Sequence, residues 1–141
     1  MFCLTQGRRR YNGRMADEIR EAMLYEKLDE GRVHCFLCAH HCRIAPGNLG
    51  FCQVRQNDEG TLRTLNYRSV VAMNVDPIEK KPLFHFLPGT RSLSLAAPGC
   101  NMRCDFCQNW QISQAPRDGR IPGADISPEQ IVAAAKRHRC P

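Results

Sequence analysis

No apolar run in this chain approaches the ~18 residues that a helix needs to cross a bilayer. Met1-Phe2-Cys3-Leu4-Thr5 passes straight into Arg8-Arg9-Arg10 without a signal-peptide core, so no membrane partner is expected and the chain is expected in the cytoplasm. Aromatic residues are few, at 7% with one tryptophan, which leaves little for a base-stacking surface. Internal repeats and low-complexity tracts are also missing, apart from the short arginine run, and this excludes a solenoid or an array. Acidic residues are absent from the first 14 positions, where Arg8, Arg9, Arg10 and Arg14 concentrate the positive charge. Without those four, the formal net charge of +6 falls to +2, from 16 basic against 14 acidic residues. A nucleic-acid partner is therefore not expected.

Cysteine, by contrast, is abundant. Nine cysteines in 141 residues, an odd number packed into tight local clusters, read as metal ligands before disulfides in a reducing compartment. Cys100-x-x-x-Cys104-x-x-Cys107 follows Arg91-Ser92-Leu93-Ser94-Leu95-Ala96-Ala97, a stretch patterned as a strand entering a buried sheet and broken by Pro98-Gly99. Ligand sites of parallel α/β sheets lie at such strand ends. Three thiolates hold three irons of a four-iron cubane and leave the fourth open, as a catalytic metal requires. The plainer reading is a zinc knuckle or buried thiols. A second set, Cys35, Cys38, Cys42 and Cys52, lies in a glycine-rich stretch that folds around a metal, either a structural zinc or an auxiliary iron–sulfur cluster, with His40 or His41 as a substitute ligand. Cys3 and Cys140 fall outside both sets.

These residues carry a resemblance to a known family. The segments Leu24-Tyr25-Glu26-Lys27-Leu28, Cys35-x-x-Cys38, Asp76-Pro77-Ile78-Glu79-Lys80-Lys81-Pro82-Leu83-Phe84-His85-Phe86, the three-cysteine loop and Gln108-Asn109-Trp110-Gln111-Ile112-Ser113 occur in order over roughly residues 20 to 135. In this the chain resembles the AmmeMemoRadiSam system radical S-adenosylmethionine (SAM) enzymes, relatives of the pyruvate formate-lyase activating enzymes. The resemblance implies a 4Fe-4S cluster on Cys100, Cys104 and Cys107, with SAM on the open iron. It also implies reductive cleavage of SAM to a 5′-deoxyadenosyl radical, and hydrogen abstraction from a substrate that the motifs do not name. Phe106 and Asn109 are implied contacts of SAM, and a flavodoxin or ferredoxin is the implied electron donor. The competing readings are a non-catalytic iron–sulfur or zinc protein, and an inactive gene remnant.

The expected fold class is α/β: the start of a radical SAM partial (β/α) barrel, truncated, and preceded by a cysteine-rich metal module and a β-hairpin. Residues 1–30 read as a basic extension and helix, 31–60 as the metal module, 61–90 as hairpin and linker, and 91–141 as the first βα unit. The helix is expected over 16–28, with translation beginning at Met15. The hairpin is expected to join 62–65 to 69–75 around Asn66-Tyr67-Arg68. Ser127-Pro128-Glu129-Gln130 opens a second helix, with Ser as cap, Pro at the first position, Gln at the third, and Ile131, Val132 and Ala135 inward. Only 34 residues follow Cys107, about one βα unit, so the chain is expected to be a fragment of a longer enzyme. Lys80 and Lys81 offer charge for an anionic substrate, His85 a proton-handling group, and Trp110 a core anchor or a site residue.

Overall fold

The computed structural model describes residues 10–11, 14–15 and 19–141. Short antiparallel sheets make up most of it, with two helices. The chain divides into two units, one running to Tyr67 and resuming over Gly99–Ile121, the other made of Arg68–Pro98 and Pro122–Pro141.

In the first unit, β1 (Arg10–Tyr11) pairs with β2 (Arg14–Met15). A three-stranded sheet has β8 (Thr61–Thr64) at its centre, between β3 (Arg20–Glu21) and β7 (Arg55–Asp58). Glu59 and Gly60 close the β7–β8 hairpin with φ of +48° and +85°, the paired left-handed geometry that matches the twist of the flanking strands. A second three-stranded sheet places β5 (Val33–Cys35) between β4 (Tyr25–Lys27) and β6 (Arg43–Ile44). The core between them is small: Ala22, Val33, Cys35, Ile44 and Leu62, with Tyr25 and Cys42 against it. The short helix α1 (Trp110–Ser113) also belongs to this unit.

The second unit is built on a six-pair antiparallel ladder between β10 (Ala72–Pro77) and β11 (Arg91–Ala96). β9 (Ser69–Val70) pairs with β12 (Ala124–Asp125). Helix α2 (Pro128–Arg137) starts as its sequence requires: Ser127 Oγ accepts from the Gln130 amide and Gln130 Oε1 accepts from the Ser127 amide, a complete capping box.

Several expectations need correction. Residues 19–28 are not helical. Leu24 takes φ of +59°, which no helix tolerates, and β3 and β4 instead pair with β8 and β5. Residues 16–18, the first part of the expected helix, lie outside the described residues, and nothing in the structure bears on a start at Met15. The hairpin joining 62–65 to 69–75 does not form, because both edges of β8 are already taken by β3 and β7. The strand before the three-cysteine loop is present, but its partner β10 is antiparallel rather than parallel. In α2 the buried side chain is Ala134, while Val132 is exposed.

Candidate metal centre

The cysteine module begins where β5 ends. The register that sets Val33 opposite Ile44 and His34 opposite Arg43 continues to Cys35 opposite Cys42, and the Cys35 amide donates to the Cys42 carbonyl at 2.9 Å. Residues directly opposite in an antiparallel pair share a face, so both side chains leave on the side of Val33 and Ile44, against the core. Cys38 lies on the intervening turn, closed by the His41 amide on the Cys38 carbonyl at 3.2 Å. Cys52 sits on a second tight turn, where the Gln53 amide donates to the Gly50 carbonyl at 2.9 Å. Gly50 lies close to this face: a Cβ there would meet Ile44 Cδ1 at a tight 3.2 Å and Cys42 Sγ at an ordinary 3.8 Å.

A cavity of about 530 Å³ opens between these turns, lined by Cys35, Cys38, Cys42 and Cys52 and also by Cys100. The eight cysteines among the described residues are all free thiols. Burial pushes the Cys52 thiol up, and neighbouring Cys35 and Cys42 add to that, whereas the backbone N–H groups of Val54 and Arg55 favour its thiolate. Among the described residues no group of three or more His, Cys, Asp or Glu side chains is gathered so as to hold a metal ion. The donor chemistry fits soft metal chemistry, but the ligands must draw together to bind.

The three-cysteine loop belongs to the same unit. Gly99, at φ of +97°, packs so closely on Val54 that a Cβ would come within 2.6 Å of Val54 Cγ1. Cys100 is half-buried at the cavity, Cys104 is exposed, and Cys107 is half-buried with Sγ 3.4 Å from Ser113 Oγ. The Cys107 amide donates to the Cys104 carbonyl at 3.1 Å, and the Trp110 amide to the Cys107 carbonyl at 3.3 Å, which leads the loop into α1. Phe106 is 91% exposed. Asn109 caps α1 through its carbonyl, which accepts from Ile112 and Ser113, and its side chain makes no capping bond. The structure thus joins Cys100 to the cavity of the first set and leaves Cys104 and Cys107 on the turn beyond.

Contacts that the sequence did not signal tie the loop to the module. His40 Nε2 donates to the Asn101 carbonyl at 2.6 Å, and its ring stacks on Phe51 at 4.2 Å. The Arg103 and Arg117 guanidiniums each lie 5.0 Å from the Phe51 ring centre. Burial lowers the Arg117 pKa and nearby Arg103 lowers it further, while Cys52 and Cys100 oppose the shift. Arg117 Nε donates to Gln114 Oε1 at 2.6 Å, but its Nη2 is buried and has no hydrogen-bond partner. Arg117 thus sits beside Cys52 and Cys100, with Arg103 next to it. His41, an expected substitute ligand, instead faces His34, with Nδ1 3.3 Å from Nε2, and His34 pairs with Glu26 at 2.7 Å.

The remaining candidates have other uses. Lys80 and Lys81 both bind Asp76, at 2.8 and 3.0 Å, rather than standing free for a substrate. His85 lies in an exposed loop between Phe84 and Phe86. Trp110 is 59% exposed, so it is no core anchor.

No helix among the described residues is long and apolar enough to cross a membrane. Two proteins of Methanocaldococcus jannaschii are similar to the chain. The uncharacterized protein MJ0808 is 53% identical over 123 residues, covering 87% of this chain and 37% of that protein. The uncharacterized protein MJ0674 is 28% identical over 109 residues, covering 75% of this chain and 27% of that protein. The chain therefore spans well under half the length of these relatives. No family model and no solved structure matches it.

Proposed function

We propose that this chain is the N-terminal part of a radical SAM enzyme of the AmmeMemoRadiSam kind, with Cys100, Cys104 and Cys107 as ligands of a 4Fe-4S cluster. The observation that supports this most is the loop itself: three free thiols at Cys-x-x-x-Cys-x-x-Cys spacing, directly after β11, with Cys104 open to solvent. When bound, the cluster supplies the electron that cleaves SAM reductively, and the 5′-deoxyadenosyl radical so formed abstracts hydrogen from a substrate. The chain's own residues prepare the site. A turn closed by the Cys107 amide on the Cys104 carbonyl leaves Cys104 exposed and Cys107 half-buried, and the His40 bond to Asn101 fixes where the loop begins. Arg103 brings positive charge beside a centre that thiolates make negative. Phe106, exposed next to Cys107, is available to pack on an incoming SAM, and Asn109 borders the same turn. In this reading β11, the loop and the segment after it form the first βα unit of a barrel, and flavodoxin or ferredoxin supplies the electron.

The test is anaerobic reconstitution with iron and sulfide, followed by electron paramagnetic resonance with and without SAM. A reduced 4Fe-4S signal that shifts on adding SAM, and is lost in Cys104→Ser, is expected. Zinc bound at this loop, or a cluster spectrum indifferent to SAM because a fourth side chain saturates it, overturns the proposal.

A further inference from the structure

We infer that Cys35, Cys38, Cys42 and Cys52 form a closed site for one tetrahedral zinc ion. The inference does not depend on radical SAM chemistry at the other loop. All four sulfur donors border one cavity, which His40 and Cys100 also line: Cys35 ends β5, Cys42 lies opposite it, and Cys38 and Cys52 sit on two tight turns. Cys35 and Cys42 leave hydrogen-bonded, directly opposed backbone positions on one face. Tetrahedral zinc with Zn–S of ~2.3 Å brings its sulfurs to within ~4 Å of each other, which suits such neighbours. A cubane puts each thiolate on a different iron and so holds them farther apart.

Two further features point to thiolates at this place. Arg117 brings a buried Nη2 without a partner, and Arg103 a second cation against the same phenyl ring. Four thiolates and one divalent cation carry a net charge of −2, the counterpart that two crowded guanidiniums lack. Of the module's three histidines, His40 binds Asn101 through Nε2 while His41 and His34 face each other, which leaves the four sulfurs as the donor set. Four protein ligands saturate zinc, which makes the site structural. The sulfurs close on the metal as it binds, and binding energy becomes folding energy.

The experiment measures metal content in the full chain carrying Cys100→Ser, Cys104→Ser and Cys107→Ser together, which removes the other loop. One equivalent of zinc per chain is expected. Replacement by cobalt(II) should give thiolate-to-cobalt charge-transfer absorption and the ligand-field bands of a tetrahedral ion. Adding Cys38→Ser, at a half-exposed position that a serine fits, should weaken zinc binding at least tenfold with the fold retained by circular dichroism. Iron with sulfide in the triple variant, octahedral cobalt spectra, or unchanged zinc affinity in Cys38→Ser overturns the inference. A thiol-reagent titration gives a second readout: zinc should slow the reaction of four thiols, and protection of none refutes the site.

Discussion

Asn57 shows what a single polar side chain does in so small a core. It is fully buried, yet its amide donates to the Gly31 and Ile44 carbonyls at 2.8 Å each, and its Oδ1 accepts from the Gly60 amide at 2.8 Å. It thereby ties the β7–β8 turn to the loops beside β5 and β6. Asn57→Ala leaves those three backbone groups without partners, and at ~1 kcal/mol for each bond the loss is about 3 kcal/mol. Urea unfolding should show the midpoint falling by that equivalent, and a change under 1 kcal/mol would mean that solvent replaces the bonds. Nothing in the spacing around Asn57 announced this role, because its partners lie up to 26 residues away. The same holds for His40, Phe51, Arg103 and Arg117. The two cysteine sets stood out because motifs of that kind are local in sequence. Their supporting residues did not, since only the fold brings them together.

At the scale of elements, the β10–β11 ladder ends in a charge cluster. Asp76 is 8% exposed and bonds Lys80 Nζ at 2.8 Å, Lys81 Nζ at 3.0 Å and Ser94 Oγ at 2.6 Å. The Lys80 bond above all, then Ser94 and Lys81, holds its carboxyl far below the ordinary carboxylate range. A carboxylate with a folded-state pKa below its unfolded one adds stability that is fully present above ~4, and that is lost as pH falls toward the folded value. Wild-type stability should therefore decline below pH ~4, and Asp76→Asn should be less stable at neutral pH and flatter in acid. Identical acid slopes for the two proteins would show that Asp76 is not a linked group.

Where an element's cause is local, the sequence reading held: the Ser127 box starts α2, and β11 occupies 91–96 as its alternation indicated. Where the cause is pairing, it failed. The stretch 19–28 has helical spacing, but β5 and β8 had open edges for it, and ladder bonds outweigh a weak propensity.

The whole molecule divides into units with different sources of stability. The first has strands of two to four residues and a small central cluster of Ala22, Val33, Cys35, Ile44 and Leu62. A unit this small needs a staple, and the quartet supplies it if zinc ties the β5–β6 end to the turn at Cys52. The second unit has a six-pair ladder and a capped helix, and the described cysteine it contains, Cys140, belongs to neither set. Metal removal should then act unevenly. With excess chelator, hydrogen exchange at the Ala22, Cys35, Asn57 and Leu65 amides, all bonded within the first unit, should speed at least tenfold, or ~1.4 kcal/mol of lost protection. The Val71 and Ile78 amides, bonded to Ala96 and Thr90, should keep theirs. Equal loss in both units would make the chain one cooperative block, and no loss in either would remove metal from the stability of the first.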